Sequence, residues 1–349
     1  MMPAMTTGPA ASAPEFDAAR LDAFLAGALP GRVSGKMELE RISGGQSNPT
    51  FFLSYPETGA RLVLRKKPPG PLLPSAHAVD REYRILKALA GSNVPVPPVL
   101  LFHGEDDVVG TPFYLMERLD GRVFHDTTLP GVTPDERRQM YFAMADTLAA
   151  LHRFDWQGAG LADYGKPGNY YARQLRRWGK QWRETKTRDI PAVDRLIDWL
   201  GAHLDASEET TIVHGDFRLG NLMFAPGEPH VIAVLDWELS TLGHPLSDAA
   251  FSCLPWHSTP DMYAGIVGID REALGIPTQA EYLDRYCTAA GRKDGPGNFH
   301  IAFSLFRFAV ILDGIAARAK AGNAAAENAV AVGEMAESFA RRAEALIDA

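Results

Sequence analysis

The chain has 349 residues, 46% apolar and 22% charged, a globular composition long enough for two lobes with separate cores. A formal charge of −8 excludes a nucleic-acid binder that relies on a broad basic surface, so no nucleic-acid partner is expected. Two cysteines, Cys253 and Cys287, cannot build a disulfide framework and form no CxxC, which argues against a zinc cage and for a reducing, cytoplasmic setting.

The opening "MMPAMTTGPAASAP" lacks a basic n-region and a continuous apolar core. Residues 1–15 are therefore expected to be a disordered tail, not a signal peptide. Ser12 and Glu15 stand at capping-box spacing before a first helix, "FDAARLDAFLAGAL". "MELERIS" and "FFLSY" read as strands around the turn "GGQSNPT", and "ARLVLRKK" as a third strand. "GRVSGKM" imitates a P-loop but is one residue short, and Met37 stands where a Ser or Thr would meet magnesium, so it is rejected. "AHAVDREYRILKALA" is helical by period and ends near Gly91; "VPVPPVLLFHGE" and "TPFYLMERL" are strands broken by prolines and a turn.

After about Asp120 the pattern becomes helical: "TPDERRQMYFAMADTLAALHRF" with Thr133 as cap, then "NYYARQLRRWGKQWRET" and "AVDRLIDWLGAHL". The longest apolar run, "FHIAFSLFRFAVIL", is too short for a membrane span and carries Arg307, so a buried helix and no membrane partner are expected. The fold class is α+β, with a small β-rich lobe over residues 16–117 and a larger, mainly helical lobe over 118–349. The junction from Glu117 to Asp120 is the expected hinge, and a cleft between lobes the expected place for a ligand.

"IVHGDFRLGNLMF" (212–224) delivers an unusual set of polar groups from a short apolar strand. Asp216 and Asn221 fit D-x-x-x-x-N, the spacing of a phosphoryl-transfer loop in which the acid accepts the proton of an attacking hydroxyl. "NLMFAPGEPHVIAVLD" reads as a hairpin turning at Pro226–Pro229, which brings Asn221 and Asp236 side by side. Two hard oxygen donors so placed suit Mg²⁺. Each taken singly could be a turn residue capping its own backbone.

Phosphoryl transfer also needs a grip on a nucleotide. Gly44 and Gly45, followed by Ser47 and Asn48, make a turn whose N–H groups could approach phosphate; a plain hairpin turn would use the same residues. In "RLVLRKK" alternation puts Val63 and Arg65 on one face and Leu62 and Leu64 on the other. Glu82 shares the apolar face of the next helix with Ile85, Leu86 and Leu89, where a carboxylate needs a partner. Arg65 is that candidate, with Lys66 and Lys67 as competitors and a solvated helix edge as the alternative.

"SGGQSN", "LVLRK", "REYRILKAL", "FYLMERLDG", "VHGDFRLGNLMF" and "VLDWELSTLGHPLSD" stand in the order of a known superfamily, from about Ile42 to Asp248. The chain resembles the aminoglycoside phosphotransferase and choline kinase superfamily, which has a bilobal protein-kinase-like fold. Within it, "LRKKPPGPLLPSAH", "KPGNYYARQLRRW" and "DWELSTLGHPLSD" look most like the kinase-like domain fused to some acyl-CoA dehydrogenases, a subgroup linked to hydroxyacyl substrates. The resemblance implies ATP, or GTP, with Mg²⁺ as cofactors; Asp216 as the catalytic aspartate that accepts or orients the hydroxyl proton; Asn221 and Asp236 as metal ligands. It also implies Glu117 and Leu119 at the adenine and Asp248 as a brace of the catalytic loop. Arg65 stands where most kinases have lysine and offers a planar fork instead of a point charge.

The expected reaction is phosphorylation of a small-molecule hydroxyl, in a hydroxyacyl-CoA or related hydroxy acid. The alternatives are an aminoglycoside or choline-type kinase and a nucleotide-binding pseudokinase scaffold. A scaffold would usually have lost Asp216 or Asp236. Helix 170–186 places Tyr171, Leu175, Trp178 and Trp182 on one stripe and Arg173, Arg176, Arg177, Lys180 and Arg183 largely elsewhere: either a core stripe with a solvated face or a wall for an anionic substrate. Polycationic aminoglycosides would instead need acids such as Glu238, Asp261 and Asp284. His214 is expected to buttress the loop, and His152 and His244 to be structural.

Overall fold

A computed structural model describes residues 16–42, 48–70, 78–320 and 329–348. Gly44, Gly45 and Ser47 of the expected phosphate turn lie outside the described residues, as do residues 1–15. The chain divides into two units, one running to Ala90 and resuming over Val96–Asp120, the other formed by Gly91–Pro95 and Gly121–Ala349. Arg118 and Asp120 stay with the first because Arg118 N–H donates to Arg61 O and the Arg61 guanidinium pairs with Asp120. Gly91–Pro95 goes with the second, where Val234 N–H donates to Pro95 O.

The first unit is an antiparallel sheet with two helices. Helix α1 (Ala18–Ala28) is capped by Asp17, which accepts from the N–H groups of Ala19 and Arg20; the capping pair expected from sequence, Ser12 and Glu15, lies outside the described residues. Strands β1 (Glu38–Arg41), β2 (Thr50–Tyr55), β3 (Ala60–Lys66), β4 (Val99–His103) and β5 (Phe113–Glu117) lie in the order β1-β2-β3-β5-β4, and helix α2 (Val79–Leu89) joins β3 to β4. Strand alternation sorts the side chains. Leu62, Leu64, Phe113 and Leu115 join Leu21 and Leu25 of α1 in one core, while Arg65 and its cross-strand neighbour Tyr114 face α2.

The second unit carries β6 (Arg122–Val123), α3 (Pro134–His152), α4 (Tyr170–Thr185), α5 (Pro191–Ala202), β7 (Thr211–Val213), β8 (Leu222–Phe224), β9 (Val231–Val234), β10 (Thr241–Gly243), α6 (Pro245–Ser252), α7 (Arg271–Leu274), α8 (Gln279–Ala290), α9 (Asn298–Lys320) and α10 (Ala329–Ile347). Thr133 caps α3 by accepting from Glu136 N–H. The expected hairpin is β8–β9, with β6 added at the β8 edge, and β10 pairs with β7.

The apolar run near the C-terminus needs a correction. Its helix, α9, extends to 23 residues, long and apolar enough by length and composition to cross a membrane, with 78% of its most apolar window buried inside the protein. The flanking residues, outside the apolar run, supply the extra turns. Arg307 and Asp313 are buried within it, and Asp313 accepts from Thr187 N–H at 2.9 Å and from the Thr187 hydroxyl at 2.6 Å.

Leu64, fully buried in the strand that carries Arg65, tests how far the first unit depends on the α1 core. Leu64→Ala is expected to cost about 2–5 kcal/mol, read as a lower denaturant midpoint with an unchanged slope.

Candidate active site

Buried strand β7 ends at Val213, and the next three residues are held peptide by peptide. The N–H groups of His214 and Gly215 donate to the two oxygens of Asp248, at 2.5 and 3.0 Å. Asp248 sits on α6 and is fully buried. Burial pushes its carboxyl up, but His152 Nε2 at 3.7 Å and the backbone donors outweigh it and hold the group below the usual carboxylate range. His214 Nδ1 accepts from Asp216 N–H at 3.2 Å, so its ring proton is on Nε2, which donates to Leu235 O at 2.8 Å. Arg307 Nη2 donates to Gly215 O.

Gly215 has φ +85°, and a Cβ there would lie 2.8 Å from Leu239 O. Backbone conformation and space both require glycine. The chain then reaches Asp216, whose Oδ2 accepts from Asn221 Nδ2 at 2.8 Å and from Arg218 Nε at 3.2 Å. Asn221 Nδ2 also donates to Asp216 O at 2.8 Å. With its nitrogen so used, Asn221 presents Oδ1 as its side-chain acceptor.

The hairpin sets the third residue. Leu222 pairs with Val234, and Leu235 N–H donates to Asn221 O at 2.8 Å, so Asp236 follows directly beside the D-x-x-x-x-N segment. Asp236 adopts φ 63°, ψ 63°, a left-handed conformation costly for most residues and tolerated by Asp. It ends the strand and turns the chain so that Trp237 becomes buried, donating from Nε1 to Val234 O and lying 4.9 Å from the His214 ring. Arg218 sits among these groups: burial opposes its charge, but Tyr263, Asp216 and Asp236 raise its pKa nonetheless.

In the first unit Glu82 is 1% exposed, which removes the solvated-edge alternative. It accepts from Asn48 Nδ2 at 2.5 Å and Tyr114 OH at 3.0 Å, and pairs with Arg65 Nη1 at 3.2 Å. Arg65 is thus its cation among the candidates. Lys66 points to the opposite sheet face and donates to Val109 O at 2.6 Å. The Asn48 side chain, expected at the phosphate turn, is turned to Glu82. Sequence reasoning missed Tyr114, because the strand pairing that sets it opposite Arg65 joins segments far apart in the chain. Glu117 ends β5, its N–H donating to Pro98 O and its carboxylate pairing with Arg32; Leu119 follows, half-buried.

A phosphotransferase enzyme family model matches residues 38–299. The chain belongs to that family. It is 46% identical over 326 residues to mouse acyl-CoA dehydrogenase family member 10, covering 93% of this chain and 30% of that protein. Across the curated relatives at 40–46% identity, the chain spans less than half of each relative's length. A Ralstonia eutropha JMP134 crystal structure, described as a candidate aminoglycoside phosphotransferase, superposes with TM-score 0.86 at 44% identity, over 95% of this chain and 98% of that one. The APH(2″)-IIIa complex with GDP and kanamycin has TM-score 0.61 at 14% identity, over 93% of this chain and 97% of that one, a likeness of fold. The protein is a phosphotransferase with the kinase-like fold, acting on hydroxyl groups.

Beside the Asp216–Asn221 loop, still within the second unit, lies a small recess of about 40 Å³. Tyr141, Met144, Phe251 and Leu254 give it an apolar wall, and Arg218 and His125 are its basic members. Gly220, without a side chain, leaves room where these two come together. No carboxylate lines it among the described residues; Asp261 and Asp284 are exposed elsewhere and Glu238 is half-buried. Helix α4 buries Tyr171, Leu175 and Trp182, half-buries Trp178 and exposes Arg176, Arg177, Lys180 and Arg183.

Asp205, His244 and His300 offer ligand-type atoms within 4.8 Å of one another. Their hydrogen bonds oppose a metal. His244 Nδ1 accepts from Leu246 N–H and His300 Nδ1 from Gly297 N–H, so both rings carry the proton on Nε2, the atom a metal would need bare. Nε2 of His300 donates to Asp205 at 2.9 Å, and that of His244 to Ser207 Oγ at 3.1 Å. Burial lowers the His244 pKa to about 4 against an ordinary 6.5.

Two outcomes follow for this unit. Gly215→Ala is expected to lower stability by about 1–3 kcal/mol and abolish turnover, read by melting and by ADP release. His244 stays neutral in the folded protein, whereas the unfolded chain takes up the proton near 6.5. Its contribution is complete above pH 6.5 and is lost as pH falls towards 4, on the order of 3 kcal/mol. His244→Asn, which keeps a capping acceptor, should flatten the fall in melting temperature over that range.

Proposed function

We propose that the protein transfers the γ-phosphoryl group of ATP, or GTP, to the hydroxyl of a hydroxyacyl-CoA or related hydroxy acid. The observation that carries the reading is the bonded series Asp216–Asn221–Leu235, which sets Asp236 next to the amide that holds the Asp216 carboxylate. Arg218 and Asn221 both donate to Asp216 Oδ2, which leaves Oδ1 to accept the proton of the acceptor hydroxyl. The donor set suits a magnesium ion: Asn221 Oδ1 and the Asp236 carboxylate are hard oxygen ligands, and the amide nitrogen is already spent. When bound there, Mg²⁺ would offset negative charge on the phosphate oxygens. In the first unit, Glu82 fixes the Arg65 guanidinium, whose planar fork suits a pair of phosphate oxygens. Glu117 and Leu119 are assigned to adenine, and Gly44, Gly45 and Ser47 to the phosphates, on the resemblance.

The acceptor class rests on two supports. The recess beside Asp216 is mostly apolar, contains Arg218 and has no acid among its described lining residues, which disfavours polycationic aminoglycosides. The curated relatives are named acyl-CoA dehydrogenase family members, so an acyl-CoA acceptor would give both activities one class of compound.

ADP release would be measured with hydroxy acids, their CoA thioesters and aminoglycosides, using MgATP and MgGTP. The thioesters or acids should turn over and the aminoglycosides should not. Asp216→Ala should lower kcat by about 10²–10⁴-fold, and Asp236→Ala should abolish dependence on added magnesium. Near-normal turnover in either variant overturns the residue assignments; turnover of aminoglycosides alone overturns the acceptor.

A further inference from the structure

Arg307 is a buried cation that the reaction scheme above leaves without a role. It is 7% exposed on α9, and no carboxylate lies within ion-pair distance of it among the described residues. Burying a guanidinium without a counter-charge is costly, and a well-packed apolar side chain of similar volume would avoid that cost. Its Nε is buried with no hydrogen-bond partner. The contact it does make is through Nη2 to the carbonyl oxygen of Gly215. Two rings flank the guanidinium, Trp178 at 5.7 Å and Phe251 at 5.4 Å from their centroids, and limit the directions in which it can point.

The peptide that receives this bond links Gly215 to Asp216. Its N–H already donates to His214 Nδ1. The two preceding peptides are held through their N–H groups by Asp248. Arg307 therefore adds a side-chain bond to the Gly215 carbonyl, next to the bond Asn221 makes to Asp216 O, at a glycine whose φ of +85° no side chain stiffens. The Gly215–Asp216 peptide is then held through both its carbonyl and its N–H, in addition to the bonds that Asn221 and Arg218 make to the Asp216 carboxylate.

Resting on the phosphotransfer reading, we infer that Arg307 is a positioning residue for Asp216: its buried guanidinium locks the Gly215–Asp216 peptide and so aims the catalytic carboxylate. The charge–dipole bond to Gly215 O is what the chain gains from a cation at this place.

The test compares wild type with Arg307→Met, Arg307→Lys and Arg307→Ala. Melting curves establish folding, and binding of MgATP is followed by titration. With the hydroxyacyl-CoA panel, Arg307→Met should lose about 100-fold in kcat, the scale for misplacing a reacting group by about 1 Å, with KM for nucleotide unchanged. Arg307→Lys, which keeps a donor, should recover part of that loss, and added guanidinium should restore part of the activity of Arg307→Ala. Amide hydrogen exchange of the peptide spanning Val213–Asn221 should quicken in Arg307→Met while nucleotide binding stays intact. A folded Arg307→Met with wild-type kcat and loop exchange overturns the inference, as does loss of kcat together with nucleotide binding. If wild type turns over no acceptor, the phosphotransfer reading fails, and loop exchange still decides whether Arg307 holds the peptide.

Discussion

The second unit depends on one buried carboxylate. Asp248 receives two consecutive backbone N–H groups, from His214 and Gly215, at the point where a fully buried strand must release its chain into a functional loop. Amide donors in the interior must be satisfied, and no further strand is available to do so here. An acid on α6 takes their place, ionised in spite of burial because donors surround it. From that fixed run the chain can spend its next residues on chemistry: glycine where a side chain would collide, then Asp216, then Arg218 and Asn221 turned back onto it.

The first unit repeats the device with a different purpose. Glu82 is as buried as Asp248, and it is satisfied by side chains: Asn48, Tyr114 and Arg65. The result is an arginine fixed in direction by a carboxylate that has no other place to go. In both units a buried acid is tolerated because each of its oxygens is bonded, and the group it holds is one the proposed reaction uses.

Much of the site was legible because its signals are local. The D-x-x-x-x-N spacing, the Pro-Gly turn of the hairpin and the period-two alternation of β3 are properties of short segments, and they gave Asp216, Asn221, Asp236, Arg65 and Glu82 as a set. What was illegible came from distant elements. Tyr114 belongs to a strand whose pairing with β3 no local pattern reveals. Arg307 looked like an interruption in an apolar helix, and its contact with Gly215 joins residues far apart in sequence. The length of α9 was underestimated for a similar reason, since polar residues at its ends continue the helix without continuing the apolar run. The short strands β6 and β10 have no signal of their own and exist because β8 and β7 offer edges.

The sequence by itself determined the family, the order of the elements and which polar residues are candidates for chemistry, because spacing along a backbone of fixed geometry dictates which side chains a strand, turn or helix can present. Tertiary structure alone decided which hydrogen-bonding atom each residue keeps available. Asn221 offers its oxygen because Asp216 has taken its nitrogen, and the two histidines beside Asp205 offer no bare nitrogen there because backbone N–H groups occupy the other ring atom. That assignment depends on partners brought together by packing, and no linear pattern encodes it.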